Sequence, residues 1–183
     1  RKKRLLAGNM DAWIIWKMTN GAVHATDAST ASRTMLMNIH TGEWDDDVLQ
    51  LLDIDREMLP VIHDSAGTIG RTDPSAFLGA SIPISGLLAD QQAAFLGQAC
   101  TFPGMLKTTY GTGCFMLMNT GSEPVRSNNG IITTVAWRLG GKTEFALDGG
   151  VYIAGAAIQW LRDGLRLIAN ASETAGLAAS DRR

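Results

Sequence analysis

Leu87 to Phe115 reads LLADQQAAFLGQACTFPGMLKTTYGTGCF, and it holds the change of pattern that decides the fold. The overlapping run Ile82-Pro83-Ile84-Ser85-Gly86-Leu87-Leu88 has the length and apolar content of a strand, and helical spacing begins after Asp90 in QQAAFLGQA. Asp90 therefore stands at a strand-to-helix junction, where α/β folds gather ligands. Two readings of it are open: a carboxylate that takes a proton from an alcohol, or the cap of the helix. After Phe102-Pro103-Gly104, Met105–Thr109 and Cys114–Asn119 are extended runs joined by Tyr110-Gly111-Thr112-Gly113, the pattern of a β-hairpin. The glycines permit positive φ and remove side-chain bulk, so such a turn can bring backbone N–H groups close to a phosphate, although most hairpin turns bind nothing. A carboxylate followed by such a turn is an arrangement that an alcohol phosphotransferase can use.

Upstream of this stretch, residues 5–19 predict a helix on the spacing of Ile14, Ile15 and Met18, with Trp13 and Trp16 as apolar bulk in its core. Asn9 or Asp11 would cap its start, and Asn20-Gly21 would end it. Asp27–Thr34 is rich in side chains that bond local backbone, which predicts a short helical turn followed by an extended piece at Met35–Ile39. Ser32 has no identifiable base beside it, and Arg33 is expected to pair with a carboxylate that fixes the turn. Trp44-Asp45-Asp46-Asp47 places acidic groups at the start of a helix, where they suit its dipole; capping explains these aspartates without a metal. Residues 61–81 read as loop and short strand broken by Gly67, Gly70, Pro74 and Gly79.

Downstream, Ile131–Leu139 and Lys142–Asp148 predict a second hairpin around Gly140-Gly141. Ile158, Leu161, Leu165 and Ile168 then step by three, four and three, the spacing of one amphipathic helix. Small residues from Ala154 to Ala157 allow close approach at its start, by a nucleotide or by a neighbouring helix. Residues 170–183 carry no clear signal. The change from helical segments to hairpins near residue 99 marks the expected domain boundary.

Bulk properties narrow the class. Of 183 residues, 45% are hydrophobic and 19% charged, which is the balance of a globular chain. A net charge of −2 provides no basic field for nucleic acid. The one basic cluster is Arg1-Lys2-Lys3-Arg4. No apolar run is long enough to span a membrane, and no signal peptide is visible. The two cysteines, Cys100 and Cys114, lack metal-ligand spacing and read as small buried residues in a reduced, cytoplasmic setting. The charged opening at Arg1 and the ending at Arg183 read as an internal piece of a longer protein.

Five ordered blocks, DAWIIWKMTNG, ASRTMLMNIHT, IPISGLLADQQAA, TTYGTGCFMLMNTG and GAAIQWLRD, resemble the glycerol-phosphorylating branch of the FGGY carbohydrate kinase family. The resemblance runs from about residue 8 to about residue 170. It implies an α/β, ribonuclease-H-like (actin-like) fold with an active cleft between two domains. Residues 1–98 would form the end of the first domain and residues 99–183 the start of the second. It also implies transfer of the γ-phosphoryl of ATP, with Mg2+, to glycerol in a homo-oligomeric full-length enzyme that contacts neither nucleic acid nor membrane.

Carried over by position, Asp90 would be the general base, Asp90 and Gln91 would hydrogen-bond glycerol, and Phe115 would pack on its carbon face. Gly111 and Thr112 would contact the nucleotide phosphates, and Gly155 and Gln159 would also lie at the nucleotide. No residue of this chain is expected to ligate the metal. The family's first phosphate loop, its acidic residue near magnesium, its glycerol-gripping Arg-Glu pair and its adenine pocket would fall outside these residues. The Gly-rich, Arg-ending loop that binds fructose 1,6-bisphosphate in some members would fall at residues 75–81, where Ser75-Ala76-Phe77-Leu78-Gly79-Ala80-Ser81 lacks the arginine, so that form of control is not expected. The alternatives are an FGGY kinase for another polyol or sugar, a non-catalytic actin-like interaction module, and an ATP-driven chaperone of the same superfamily.

Overall fold

The computed structural model describes residues 5–180; the basic cluster at residues 1–4 and the last three residues lie outside the described residues. Residues 5–9 form no helix or strand, and the first helix, α1, is Met10–Met18. It is shorter than the periodicity predicts because Ala7 is pinned by its N–H to the carbonyl of Met58. Asn9 occupies the cap position without a side-chain bond to the helix. Ala12 and Ile15 point inward, while Trp13 is 58% exposed and Ile14 47% exposed, so neither belongs to the core. Trp13 instead lies under the Lys17 ammonium, and Trp16 meets His24 edge-on. The helix ends as expected: Asn20 and Gly21 both take positive φ, and the Gly21 N–H returns to the Trp16 carbonyl.

The next elements are short. They are β1 (Ala25–Asp27), α2 (Ala28–Ala31), a 3-10 turn at Ser32–Thr34, β2 (Met37–Asn38), β3 (Glu43–Trp44) and α3 (Asp46–Leu51). The Asp45 carboxylate caps α3 by accepting from the N–H groups of Asp47 and Val48, and Asp46 and Asp47 fill its first turn. β4 (Val61–His63) lies parallel to β1, with Asp27 opposite His63. β5 (Ala66–Arg71) pairs with β6 (Pro83–Gly86), which leads into α4 (Asp90–Gly97).

The second half is dominated by a four-stranded antiparallel sheet. Its strands are β7 (Leu106–Tyr110), β8 (Cys114–Gly121), β9 (Ile132–Leu139) and β10 (Lys142–Val151), in the order β7-β8-β10-β9. Both predicted hairpins are present. The amphipathic helix beyond them is present only in its first half. α5 covers only Gly155–Gln159, a π-helical turn follows at Trp160–Gly164, and Arg166 takes φ +53°. Of the four residues whose spacing predicts that helix, Ile168 alone is buried. The apolar stripe has little core beneath it among the described residues, and helical stability in proteins comes mainly from packing such a stripe. The segment that carried no signal contains α6 (Glu173–Ser180), where Glu173 accepts the Ala169 and Asn170 N–H groups. No helix among the described residues is long and apolar enough to cross a membrane.

Packing joins the two halves. One core cluster combines Ala28, Ala31, Met37, Trp44 and Leu49 with Val135 and Phe145 of the sheet. A second combines Phe95 of α4 with Cys100, Leu117, Ala136, Trp137 and Ala146. Polar contacts reinforce the junction at Arg138 of β9. Its guanidinium donates to Asp64 at 2.7 Å, to the Gly42 carbonyl at 3.1 Å and to the Ile62 carbonyl at 3.0 Å. This fork of planar donors is a geometry that lysine cannot reproduce.

Candidate active site

Asp90 is the first residue of α4, not its cap. Ala89 holds the cap position in an extended conformation, and its N–H is received by the Ser29 hydroxyl at 3.0 Å. The Asp90 carboxylate is exposed and accepts the N–H of Gln91 at 2.7 Å. Its position in the first turn suits the positive end of the helix. The rest of α4 explains why it sits there. Gln92 and Phe95, three apart, turn inward, and the Gln92 amide donates to the Val135 carbonyl at 3.2 Å. With that face fixed, Asp90 is left on the open side. It lines a cleft of about 760 Å³ with Asp11, Thr30, Arg33 and Ala89 among its walls.

Gln91 is tied to the sheet through Lys107 of β7. The Lys107 ammonium donates to the Gln91 amide oxygen and, at 2.6 Å, to the Thr109 hydroxyl. The residue is 1% exposed. Burial pushes its pKa below 10.5, while the charges of Asp90, Asp148 and Cys100 act in the opposite direction. Asp148 of β10 in turn binds Arg33 at 2.7 Å, the carboxylate partner expected for that arginine. Ser32, beside it, donates to the Ser29 carbonyl and lies 3.1 Å from the Thr134 hydroxyl.

Strand register brings Phe115 to the same place. Thr109 is opposite Phe115, and Lys107 opposite Leu117, so these side chains share one face of the hairpin. On its other flank Phe115 is opposite Gly150, where a β-carbon would come within 3.0 Å of the phenyl ring. The ring meets Tyr152 edge-on. Asp90, Gln91 and Phe115 are thus connected through Lys107 and Thr109, two residues that the sequence reading left out. The available signal was the alternation in β7, which turns Lys107 and Thr109 to the inner face.

The turn at residues 111–113 packs against the start of α5. The Gly155 N–H donates to the Gly111 carbonyl at 2.9 Å, and the Thr112 carbonyl accepts from Ala154 and Ala156. Neither Gly111 nor Gly113 takes positive φ, which corrects the first reason given for these glycines. Close approach is the reason that holds. A β-carbon on Gly155 would lie 2.5 Å from the Gly111 oxygen, and one on Gly113 would lie 2.9 Å from the Val151 oxygen. The Thr112 side chain is exposed, and Gln159 is exposed one turn beyond Gly155. Gly111, Thr112 and Gly155 therefore form one backbone cradle, and Phe115, against Gly113, connects it to the Asp90 cluster.

Comparisons with known proteins match this architecture. The family model described as "FGGY family of carbohydrate kinases, N-terminal domain" matches residues 2–97, and that of the C-terminal domain matches residues 106–182. A glycerol kinase of Stenotrophomonas maltophilia strain K279a is 56% identical over 175 residues, covering 96% of this chain and 35% of the relative. A glycerol kinase of Methylobacterium nodulans is 56% identical over 174 residues, covering 95% of this chain and 34% of the relative. The chain thus spans about a third of the length of these relatives. Among solved structures, Plasmodium falciparum glycerol kinase with ADP aligns over 92% of this chain and 34% of its own, with a TM-score of 0.83 and 37% identity. A ligand-bound xylulose kinase from Lactobacillus acidophilus aligns over 93% of this chain and 34% of its own, with a TM-score of 0.79 and 21% identity, and shares the fold. The fold is α/β and ribonuclease-H-like, and the chain belongs to the FGGY family of carbohydrate kinases.

Proposed function

We propose that this chain supplies the acceptor-side base and one phosphate-facing turn of an enzyme that phosphorylates glycerol with ATP. The observation that carries the proposal is Asp90 itself. It is an exposed carboxylate at a helix start, beside Gln91 held by a buried ammonium, on a face that continues to Phe115. Such a carboxylate accepts the proton of an attacking hydroxyl, and a positioned base contributes roughly 10²–10⁴-fold. Gln91 offers an amide to a second hydroxyl, and Phe115 gives the carbon skeleton an apolar wall. The relatives' name, glycerol kinase, supports glycerol as the acceptor.

On the donor side, Gly111, Thr112, Gly155 and Gln159 are assigned to the nucleotide. The close backbone packing of residues 111–113 on Gly155 supports this, because the cradle leaves no room for a β-carbon at Gly155 or Gly113. When bound, ATP supplies the transferable phosphoryl group, and the chain's part is to orient the acceptor and hold its proton. No group of three histidine, cysteine or acidic side chains fit to hold a metal occurs among the described residues. Mg2+ is assigned to the nucleotide phosphates, whose charge it would offset. Residues 1–98 are assigned to the end of the first domain and residues 99–183 to the start of the second. The free thiols of Cys100 and Cys114 fit a cytoplasmic setting.

The test is ADP release by this segment carried in a chain of the relatives' full length, assayed with glycerol, other polyols and sugars. Release with glycerol as the preferred acceptor is expected. Preference for another acceptor would overturn the substrate, and no release with any acceptor would overturn the enzyme reading in favour of an interaction module.

A further inference from the structure

Asp27 is fully buried, and none of the four bonds it accepts comes from a charged group. Its carboxylate receives the N–H groups of Ser29 at 3.0 Å and Thr30 at 2.9 Å. It also receives the hydroxyls of Ser29 at 2.9 Å and Ser65 at 2.7 Å. Both hydroxyls donate to it, so their protons point at the carboxylate. That leaves the lone pairs of each serine facing outward. The Ser29 oxygen accepts the Ala89 N–H at 3.0 Å, and the Ser65 oxygen accepts the Arg138 N–H at 3.2 Å. The buried carboxylate thus orients two hydrogen bonds that leave its cluster, one to the residue before Asp90 and one to β9.

We infer that Asp27 and Ser29 are positioning residues for Asp90. Resting on the functional reading above, this inference adds a second constraint on the base. Lys107 holds the α4 start from the sheet side through Gln91, and Ser29 holds it from the β1–α2 side through Ala89. Ala89 is the cap residue, and its N–H lies outside the helix's own bonding, so without Ser29 the residue that precedes Asp90 loses this anchor. Displacement of a reacting group by about 1 Å can cost on the order of 10²-fold in rate.

The test compares Ser29→Ala with Ser65→Ala in the enzyme of full family length. Each removes one hydroxyl from the same carboxylate, so a purely structural role predicts parallel effects. With positioning, both variants lose similar amounts of Tm. Only Ser29→Ala lowers kcat for glycerol, by about ten-fold, with the Kd for ADP unchanged. Amide exchange at residues 89–91 also speeds up by about ten-fold in Ser29→Ala and stays as in the parent in Ser65→Ala. Equal kcat losses in the two variants, or unchanged kcat and unchanged exchange in Ser29→Ala, would overturn the inference. If the unsubstituted enzyme phosphorylates no polyol, the functional reading fails by itself, and the exchange comparison still decides whether Ser29 anchors the start of α4.

Discussion

Lys107 is the residue where the buried sheet meets the open end of α4. A lysine at 1% exposure bears a desolvation cost that its bonds to Gln91 and Thr109 offset only while both partners stay in place. Lys107→Met keeps the bulk and removes the charge. The expected result is a glycerol KM raised by about ten-fold or more, since a hydrogen bond from a charged donor contributes roughly 1.5–3 kcal/mol. Steady-state kinetics check this, with ADP affinity expected to stay within about two-fold of the parent. Gly155 makes the complementary case in the cradle proposed to meet the nucleotide. A β-carbon there would meet the Gly111 oxygen at 2.5 Å, so Gly155→Ala must push the turn away. Overpacking of this kind costs about 1–3 kcal/mol, and calorimetry should show ADP binding weakened by about ten-fold or more while acceptor specificity is retained.

At the scale of elements, the junction of β4, the loop after it and β9 rests on the Asp64–Arg138 pair. Burial acts to raise the Asp64 pKa, but the Gly141 N–H and the Arg138 guanidinium outweigh it and hold the group below 3.8. A carboxylate with a lowered folded pKa adds stability that is fully present above its unfolded value and is lost as pH falls through the folded one. Asp64→Asn is therefore expected to lower stability by about 2 kcal/mol near neutral pH. The Tm curves of the two proteins should converge below about pH 4. Parallel curves down to pH 2 would contradict the assignment. This scale also shows what sequence could reveal. The strand-to-helix step at Asp90 and both hairpins were legible, because local periodicity and Gly-rich turns produce them. The Asp45 cap was legible for the same reason. The length of α1 and the break after α5 were not, since each depends on what packs against an apolar stripe. The contacts of Lys107 with Gln91, Asp148 with Arg33, Asp27 with Ser65 and Ser29 with the Ala89 N–H were equally hidden, because the partners in each lie far apart in the chain. Gln91, Phe115 and Gln159, and the roles given to Gly155 and Thr112, came from the family resemblance; local pattern picked out Asp90 and the Gly111-Thr112-Gly113 turn but left Asp90 divided between cap and base.

At the scale of the whole molecule, packing of the first-half elements on the four-stranded sheet brings the Asp90 end of α4 to the β7–β8 hairpin. The Asp90 cluster and the backbone cradle are linked through the β7–β8 hairpin, while Tyr110, Tyr152, Ile153 and Trp160 are all more than half exposed. Phosphoryl transfer depends on positioning and charge stabilisation around the whole phosphate chain. The 183-residue chain alone is therefore expected to turn over no glycerol, checked by coupled ADP release at high enzyme concentration. Asp90→Asn in the enzyme of full family length tests whether this carboxylate is the base. Glycerol-dependent ADP release should fall by roughly 10²–10⁴-fold while ADP binding and Tm stay close to those of the parent. Release within a few-fold of the parent, with the fold intact, would contradict Asp90 as the base.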